Sequence, residues 1–203
     1  MSKKWLREHK ADHFYRQAKK EGYRARSAFK LKQINKRFHV LKRGQMVIDL
    51  GCAPGGWLQV MREVVGEEGT VIGVDIKGIT PLEGVIFIKG DITSEETIKR
   101  IVEIVGGRKL DVLCSDMSPD ISGNYSLDQA RSIYLCEIAL SLSRQLLKRG
   151  GACILKVFQG EDFPSFLNSI KKEFLTVKCF TPQASRKASS ETYIIAKGFK
   201  ALT

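Results

Sequence analysis

Residues 46–57, M-V-I-D-L-G-C-A-P-G-G-W, constrain the fold of this chain more than any other stretch. The first residues read as a buried strand. A glycine-rich turn follows, then a helix with Val60, Met61, Val64 and Val65 at apolar helical spacing. A strand, a glycine turn and a helix in that order form the place where an α/β sheet holds a nucleotide-like ligand. Gly51 lets the chain turn sharply, and Gly55 and Gly56 carry no Cβ to keep a ligand from the backbone. The start of the helix also leaves unpaired N–H groups facing that ligand.

The strands that follow repeat one feature at their ends. Residues 69–75 read as a strand closing on Asp75, twenty residues after Gly55, where a carboxylate can accept both ribose hydroxyls of a nucleoside. Residues 85–89 form the next strand, with Asp91 just beyond, and residues 111–116 a further one ending in Asp116. A single strand-end aspartate is most often a turn former or helix cap. Three along the carboxyl edge of one sheet, behind a glycine turn, point to a shared nucleoside-bearing cofactor.

Elsewhere, Gly22 stops a basic first helix and Ser27 is expected to cap a helix over 28–39. Thr93 or Ser94 should cap a helix over 95–105. The longest helix is expected over 127–148, ended by Gly150 and Gly151, with Ile133, Ile138, Leu142 and Leu146 inward and Glu137 on the surface. Strands over 152–158, 175–180 and 192–197 and a helix over 163–172 complete the pattern. Alternating β and α predicts a single Rossmann-like α/β domain, with a mostly parallel seven-stranded sheet and helices on both faces.

With 203 residues, 43% of them hydrophobic, the chain can build one sizeable core. Its net charge of +12 is unevenly placed. Residues 1–43 hold fifteen basic and three acidic side chains, leaving nineteen of each in 44–203. The division expected is a basic helical extension, 1–43, for a polyanionic partner, most simply nucleic acid, before a neutral, catalytic-looking body, 44–203. A solvated tail is the plain alternative, but Phe14, Tyr15 and Ala18, then Phe29, Ile34 and Phe38, recur at helical spacing. A membrane surface fits less well, because the charged segments lack a continuous apolar face. There is no secretory signal, and no run approaches the roughly 20 apolar residues that span a bilayer. Five scattered cysteines without a C-x-x-C pair suggest reduced, mostly buried thiols in a cytoplasmic monomer. His9 and His13 lie one helical turn apart, but nothing nearby completes a metal site, so no metal is expected.

Lys156 is the least expected residue of the body, standing inside an apolar strand. Such a lysine needs an acidic partner, a route to the rim, or a function. Burial and a neighbouring cation would both favour its free amine. Lys30, on its own helix, reads as one more basic surface residue.

Five motifs in order, S-A-F-K-L at 27–31, D-L-G-C-A-P-G-G-W at 49–57, S-D-M-S-P at 115–119, L-K-V-F-Q-G at 155–160 and S-S-E-T-Y at 189–193, add a resemblance. From about Tyr15 to the last strand, the chain resembles the FtsJ (RrmJ/RlmE) family of S-adenosylmethionine-dependent RNA ribose 2′-O-methyltransferases. The resemblance implies a Lys-Asp-Lys-Glu tetrad at Lys30, Asp116, Lys156 and Glu191. It also implies cofactor contacts from Gly55, Trp57, Asp75 and Asp91, with Asp116 close to cofactor and acceptor alike. One departure is Cys52, at a position often held by alanine. On chemical grounds Asp75 would hold the cofactor ribose and Asp91 the adenine amino group. Lys156 would take the 2′-hydroxyl proton or, in the alternative, stay charged and position the hydroxyl. Lys30 would bind phosphate or hydroxyl, and the two acids would orient the lysines.

The expected reaction is 2′-O-methylation of a uridine ribose in large-subunit (23S) ribosomal RNA, with the tRNA anticodon loop as the alternative acceptor. Arg16, Lys19, Lys20, Arg24 and Arg26, joined by Arg186 and Lys187, would track RNA phosphates. Other acceptors fit less well. Carbon-5 methylation needs a nucleophilic cysteine, whereas Cys114 sits inside a strand; amino-group methylation favours a different turn after the fourth strand. A nicotinamide oxidoreductase would need more chain for its substrate, and a non-catalytic RNA-binding module would not need the tetrad.

Overall fold

The computed structural model describes residues 13–186 and 189–201, so His9 and Lys187 lie outside the described residues. The elements in order are α1 (His13–Lys20), α2 (Ala28–Phe38), β1 (Met46–Leu50), α3 (Gly56–Val65), β2 (Thr70–Asp75), β3 (Val85–Lys89) and α4 (Glu95–Val105). They continue with β4 (Leu110–Ser115), α5 (Tyr125–Leu146), β5 (Leu147–Phe158), α6 (Phe163–Glu173), β6 (Phe174–Phe180) and β7 (Glu191–Phe199). The seven strands form one sheet in the order β3-β2-β1-β4-β5-β7-β6. Every pairing from β3 to β5 is parallel, and β7 runs antiparallel between β5 and β6.

Each face of the sheet is buried by helices, which is why the central strands read as continuous apolar runs. On one face Ile101 of α4, Ala139 of α5 and Ile170 of α6 pack against Ile48, Ile72 and Leu113. On the other, Leu31 and Ile34 of α2 and Leu58 and Met61 of α3 pack against Val47, Val71 and Ile154. Residues 28–41 thus contribute directly to the core. Ala18 of α1 is docked through a small cluster with Phe29 and Ala184. Among the described residues, no helix is long and apolar enough to cross a membrane. Four of the five cysteines are buried; Cys179 is exposed.

The chain order reverses at the centre of the sheet, where β1 leads outward to β2 and β4 lies on its other side. Such a reversal opens a crevice at the carboxyl ends of the strands. The Asp116 N–H donates to the Leu50 carbonyl (3.2 Å), tying the ends of β1 and β4 together at that crevice.

Two local expectations need correction. The long helix ends at Leu146, and Gly150 and Gly151 lie within β5 instead of terminating the helix. Leu147 is buried and pairs with Leu110, so sheet pairing captures the backbone early; the register then shifts before Val112 meets Ala152. Gly150, at φ +80°, supplies the left-handed conformation within this irregular stretch. Ser27 stands at the start of α2 but makes no side-chain cap. Ser94 likewise precedes α4 without a capping bond, and the Thr93 hydroxyl donates to Asp91 instead.

Asp49 is the outlier of the core. It is fully buried in β1, and neither carboxylate oxygen has a hydrogen-bonding partner among the described residues. Burial, with the charges of Asp116 and Asp75 adding to it, holds its carboxyl well above the ordinary range despite Lys156 nearby. The folded protein therefore keeps a proton that the unfolded chain releases near pH 4. Stability must fall as pH rises from there towards the folded-state value, by about 1.4 kcal/mol per pH unit. Asp49→Asn should match the parent in thermal stability near pH 4 and exceed it increasingly at higher pH. Melting curves from pH 4 to 9 check this, and parallel profiles for the two proteins would show that Asp49 is not held neutral.

Candidate functional site

The crevice is built from the turn after β1. Gly51 has φ +76°, and a Cβ there would stand 2.6 Å from the Met117 side chain, so both conformation and space require glycine. The N–H groups of Gly51 and Cys52 donate to the Val74 carbonyl at 2.9 and 3.2 Å. Asp75, closing β2, accepts from the Ala53 N–H and the Lys77 N–H, both at 2.8 Å. Asp91 accepts from the Thr93 N–H (2.8 Å) and hydroxyl (2.7 Å), and these bonds hold its carboxyl below the usual range. Each acid is thus a turn former and also a ligand-facing acceptor. A carboxylate has about four acceptor positions, so these bonds leave capacity for hydroxyl or amino hydrogens.

A cavity of about 440 Å³ is lined by Gly51, Asp75, Asp91 and Asp116, with Ile76 and Ile92 as apolar wall. The three strand-end acids therefore do share one hollow. Gly55, Gly56 and Trp57 do not line it. A Cβ at Gly55 would stand 2.9 Å from the Arg24 guanidinium, and one at Gly56 would stand 3.3 Å from Ala25. The space above these glycines is filled by the chain itself. Arg24 is fixed there by donating to the carbonyls of Thr80 (2.6 Å) and Pro81 (2.9 Å). The Trp57 indole is buried, donates to the Ser27 carbonyl (2.8 Å) and packs against Tyr193, with ring centroids 5.8 Å apart. The residues before β1 thus close over the turn, leaving Gly55, Gly56 and Trp57 their backbone at the start of α3.

A second cavity, about 480 Å³, is lined by Arg26, Lys30, Ile121, Phe158, Arg186 and Glu191, and meets the first at Ser118. The four polar residues singled out in sequence form two ion pairs: Lys30 and Glu191 line the second cavity, Asp116 lines the first, and Lys156, which lines neither, is held behind Asp116. Lys30 Nζ is 2.5 Å from Glu191 Oε1, with side chains 12% and 11% exposed. Lys156 Nζ is 3.4 Å from Asp116 Oδ1 and donates to the Asp116 backbone carbonyl at 2.6 Å. Lys30 is therefore no ordinary surface residue; α2 points it at the sheet. Burial pushes the Glu191 carboxyl up, but the charge and hydrogen bond of Lys30 outweigh it and leave it below its usual value.

Tyr193 was not singled out in the sequence, although it is the residue that joins the pairs. Its hydroxyl donates to Asp116 Oδ1 (2.7 Å), and Lys30 Nζ lies 5.6 Å from its ring centroid. Burial and the charges of Asp116 and Glu191 hold its phenol well above its ordinary range, so it remains a donor. Strand periodicity carried the signal. Tyr193 lies two residues from Glu191 on one face of β7, opposite Lys156 across the β5–β7 pairing. Asp49 was detectable by the reasoning applied to Lys156, as a charged residue inside an apolar strand. Among the described residues, no group of three or more His, Cys, Asp or Glu side chains is arranged to hold a metal ion.

Residues 23–199 match the model of the FtsJ-like methyltransferase family. Over 186 residues the chain is 54% identical to the ribosomal RNA large subunit methyltransferase E of Methanothrix thermoacetophila, covering 92% of this chain and 72% of that protein. The protein of the same name from Methanocaldococcus jannaschii is 47% identical over 201 residues, covering 97% of this chain and 82% of its own. A Plasmodium falciparum protein assigned to the ribosomal RNA methyltransferases shares the fold, with a TM-score of 0.80 and 27% identity, covering 89% of this chain and all of that one. With most of its length matched by the family and half its residues shared with such relatives, the chain belongs to the FtsJ-like methyltransferases.

Proposed function

We propose that the chain transfers the methyl group of S-adenosylmethionine to the 2′-hydroxyl of a uridine ribose in large-subunit ribosomal RNA. The observation that carries this reading is the two recessed ion pairs, Lys30–Glu191 lining the second cavity and Lys156–Asp116 reaching the first through Asp116, with Ser118 common to both cavities. The names of the relatives supply the class of RNA. The carboxylates of the first hollow suit the cofactor: Asp75 has capacity for ribose hydroxyls and Asp91 for an adenine amino group, beside a turn that only glycine can make at 51. When bound, S-adenosylmethionine supplies an electrophilic methyl carbon on a sulfonium.

The protein's own task is to prepare a poor nucleophile. A ribose hydroxyl entering from the second cavity meets Lys30, whose charge stabilises oxygen as it loses its proton. With Lys156 in its uncharged form, its amine would take the hydroxyl proton as the 2′-oxygen is methylated. Asp116 holds Lys156 through its backbone carbonyl, and its carboxylate, bonded by Tyr193, stands ready for the charge Lys156 gains with the proton. Glu191 holds Lys30. Arg16, Lys19, Lys20, Arg26 and Arg186 supply phosphate contacts, whereas Arg24 is committed to carbonyls around the turn.

Tritium-labelled methyl transfer to unmodified large-subunit ribosomal RNA, ribosomal particles and bulk tRNA tests the reading. The product should be an alkali-resistant dinucleotide containing 2′-O-methyluridine from ribosomal RNA. Labelling of tRNA alone, or of a base, would contradict it. Lys156→Ala should lower the single-turnover rate by about 10²- to 10⁴-fold while S-adenosylmethionine binds as before. An ionisation in the pH–rate profile should vanish with it; an unchanged profile would leave Lys156 a positioning residue only. Replacing Lys19 and Lys20 by glutamine should reduce the slope of log RNA affinity against log salt by about 1.5. Arg24→Gln should leave that slope alone and lower the melting temperature instead.

A further inference from the structure

The reacting groups are deeply set. Lys156 is 7% exposed and Asp116 16%, and Lys30 and Glu191 are no more open. A ribose within a stacked helix has bases above and below it, and its 2′-oxygen cannot reach amines recessed in this way. The acceptor nucleotide must leave the stack, as in enzymes that act on extruded bases. Its base then needs a place beside Lys30.

The second cavity offers one. Phe158 pairs with Glu191 across β5 and β7, so an aromatic wall stands next to the acid that holds Lys30. Ile121 lines the same cavity and is 65% exposed, which leaves its apolar side chain open to a ligand there. The loop carrying it is firmly built. Asp128 accepts from the Ser122 N–H (2.8 Å) and hydroxyl (2.7 Å) and from the Gly123 N–H (3.2 Å), while the Tyr125 hydroxyl bonds to the Gln159 carbonyl. The isoleucine is therefore presented, not merely left outside. Arg26 and Arg186 also line the cavity, near enough that the Arg186 charge acts on Arg26. Arg26 donates to the Ala184 carbonyl (2.6 Å), which fixes it at the cavity wall.

We infer that this cavity receives the extruded base of the acceptor nucleotide, packed against Ile121 and Phe158. The contact is made to the face of the base, so it holds the nucleotide without reading its edge. This rests on the reading of a ribose hydroxyl as the acceptor.

The test compares the full chain with Ile121→Ser, whose exposed position spares the fold, on an unmodified ribosomal RNA transcript and on the same transcript made abasic at the methylated nucleotide. With the base present, Ile121→Ser should lower kcat/KM about tenfold, mostly through KM. On the abasic RNA the two proteins should agree within about twofold, because the missing contact is the same one. Equal rates on the base-bearing RNA, or the same loss on both RNAs, would overturn the inference. If the parent methylates no ribose in this RNA, the proposed acceptor has failed, and pentauridylate binding decides the cavity separately. Saturation transfer from protein to the uracil protons, lost in Ile121→Ser, would support the cavity as a base site. No transfer to those protons, or equal transfer in both proteins, would refute it.

Discussion

A lysine ammonium buried on the inner part of a sheet must be held by oxygen, and the site depends on how Lys156 is held. Asp116 meets it twice, with its backbone carbonyl at 2.6 Å and its carboxylate at 3.4 Å. Asp116 in turn is fixed by the bond from its N–H to the end of β1 and by the Tyr193 hydroxyl. Three strands, β1, β4 and β7, thus locate one acid, and through it one amine. An Asp116 lost or displaced would leave a buried charge without its partner, a loss of about 3–5 kcal/mol for comparable buried pairs.

This dependence explains the division of the crevice. The turn after β1 and the acids closing β2 and following β3 shape one cavity, while α2 and the start of β7 bring Lys30 and Glu191 to the other. Asp116 borders the first and holds Lys156 behind it, and Ser118 belongs to both. A group carried on one side can be passed to an acceptor on the other without either ligand entering its neighbour's space. The segment before β1 contributes in two ways. Part of it is core, as Leu31 and Ile34 are fully buried, and Arg24 locks the glycine turn from outside.

Most of this layout was legible in the residues. The alternation of apolar strands and periodic helices gave the sheet and its sequence of elements, and Asp75, Asp91 and Asp116 announced the carboxyl edge. Lys156 stood out because a charge in an apolar strand demands an explanation. What was hidden depended on contacts between distant segments. Nothing around Gly55 and Gly56 says that Arg24 and Ala25 will occupy the room above them, nor that Trp57 will turn its indole to the Ser27 carbonyl. The end of α5 was misplaced because glycines usually stop helices, whereas here pairing of Leu147 with Leu110 ends it first. Lys30 looked like surface until α2 was docked. Asp49 and Tyr193 carried usable patterns that were passed over, one an acid amid strand hydrophobes, the other a same-face neighbour of Glu191.

The most direct measurement is a crystal structure of the chain with S-adenosylhomocysteine and a short oligouridylate. The account predicts the thioether ligand in the cavity of Gly51, Asp75 and Asp91, and a ribose entering from the side of Lys30 and Glu191. Its 2′-oxygen should lie within hydrogen-bonding reach of Lys156 Nζ, about 2.6–3.2 Å. Both ligands on one side of Asp116, or a ribose whose 2′-oxygen meets neither lysine, would contradict it.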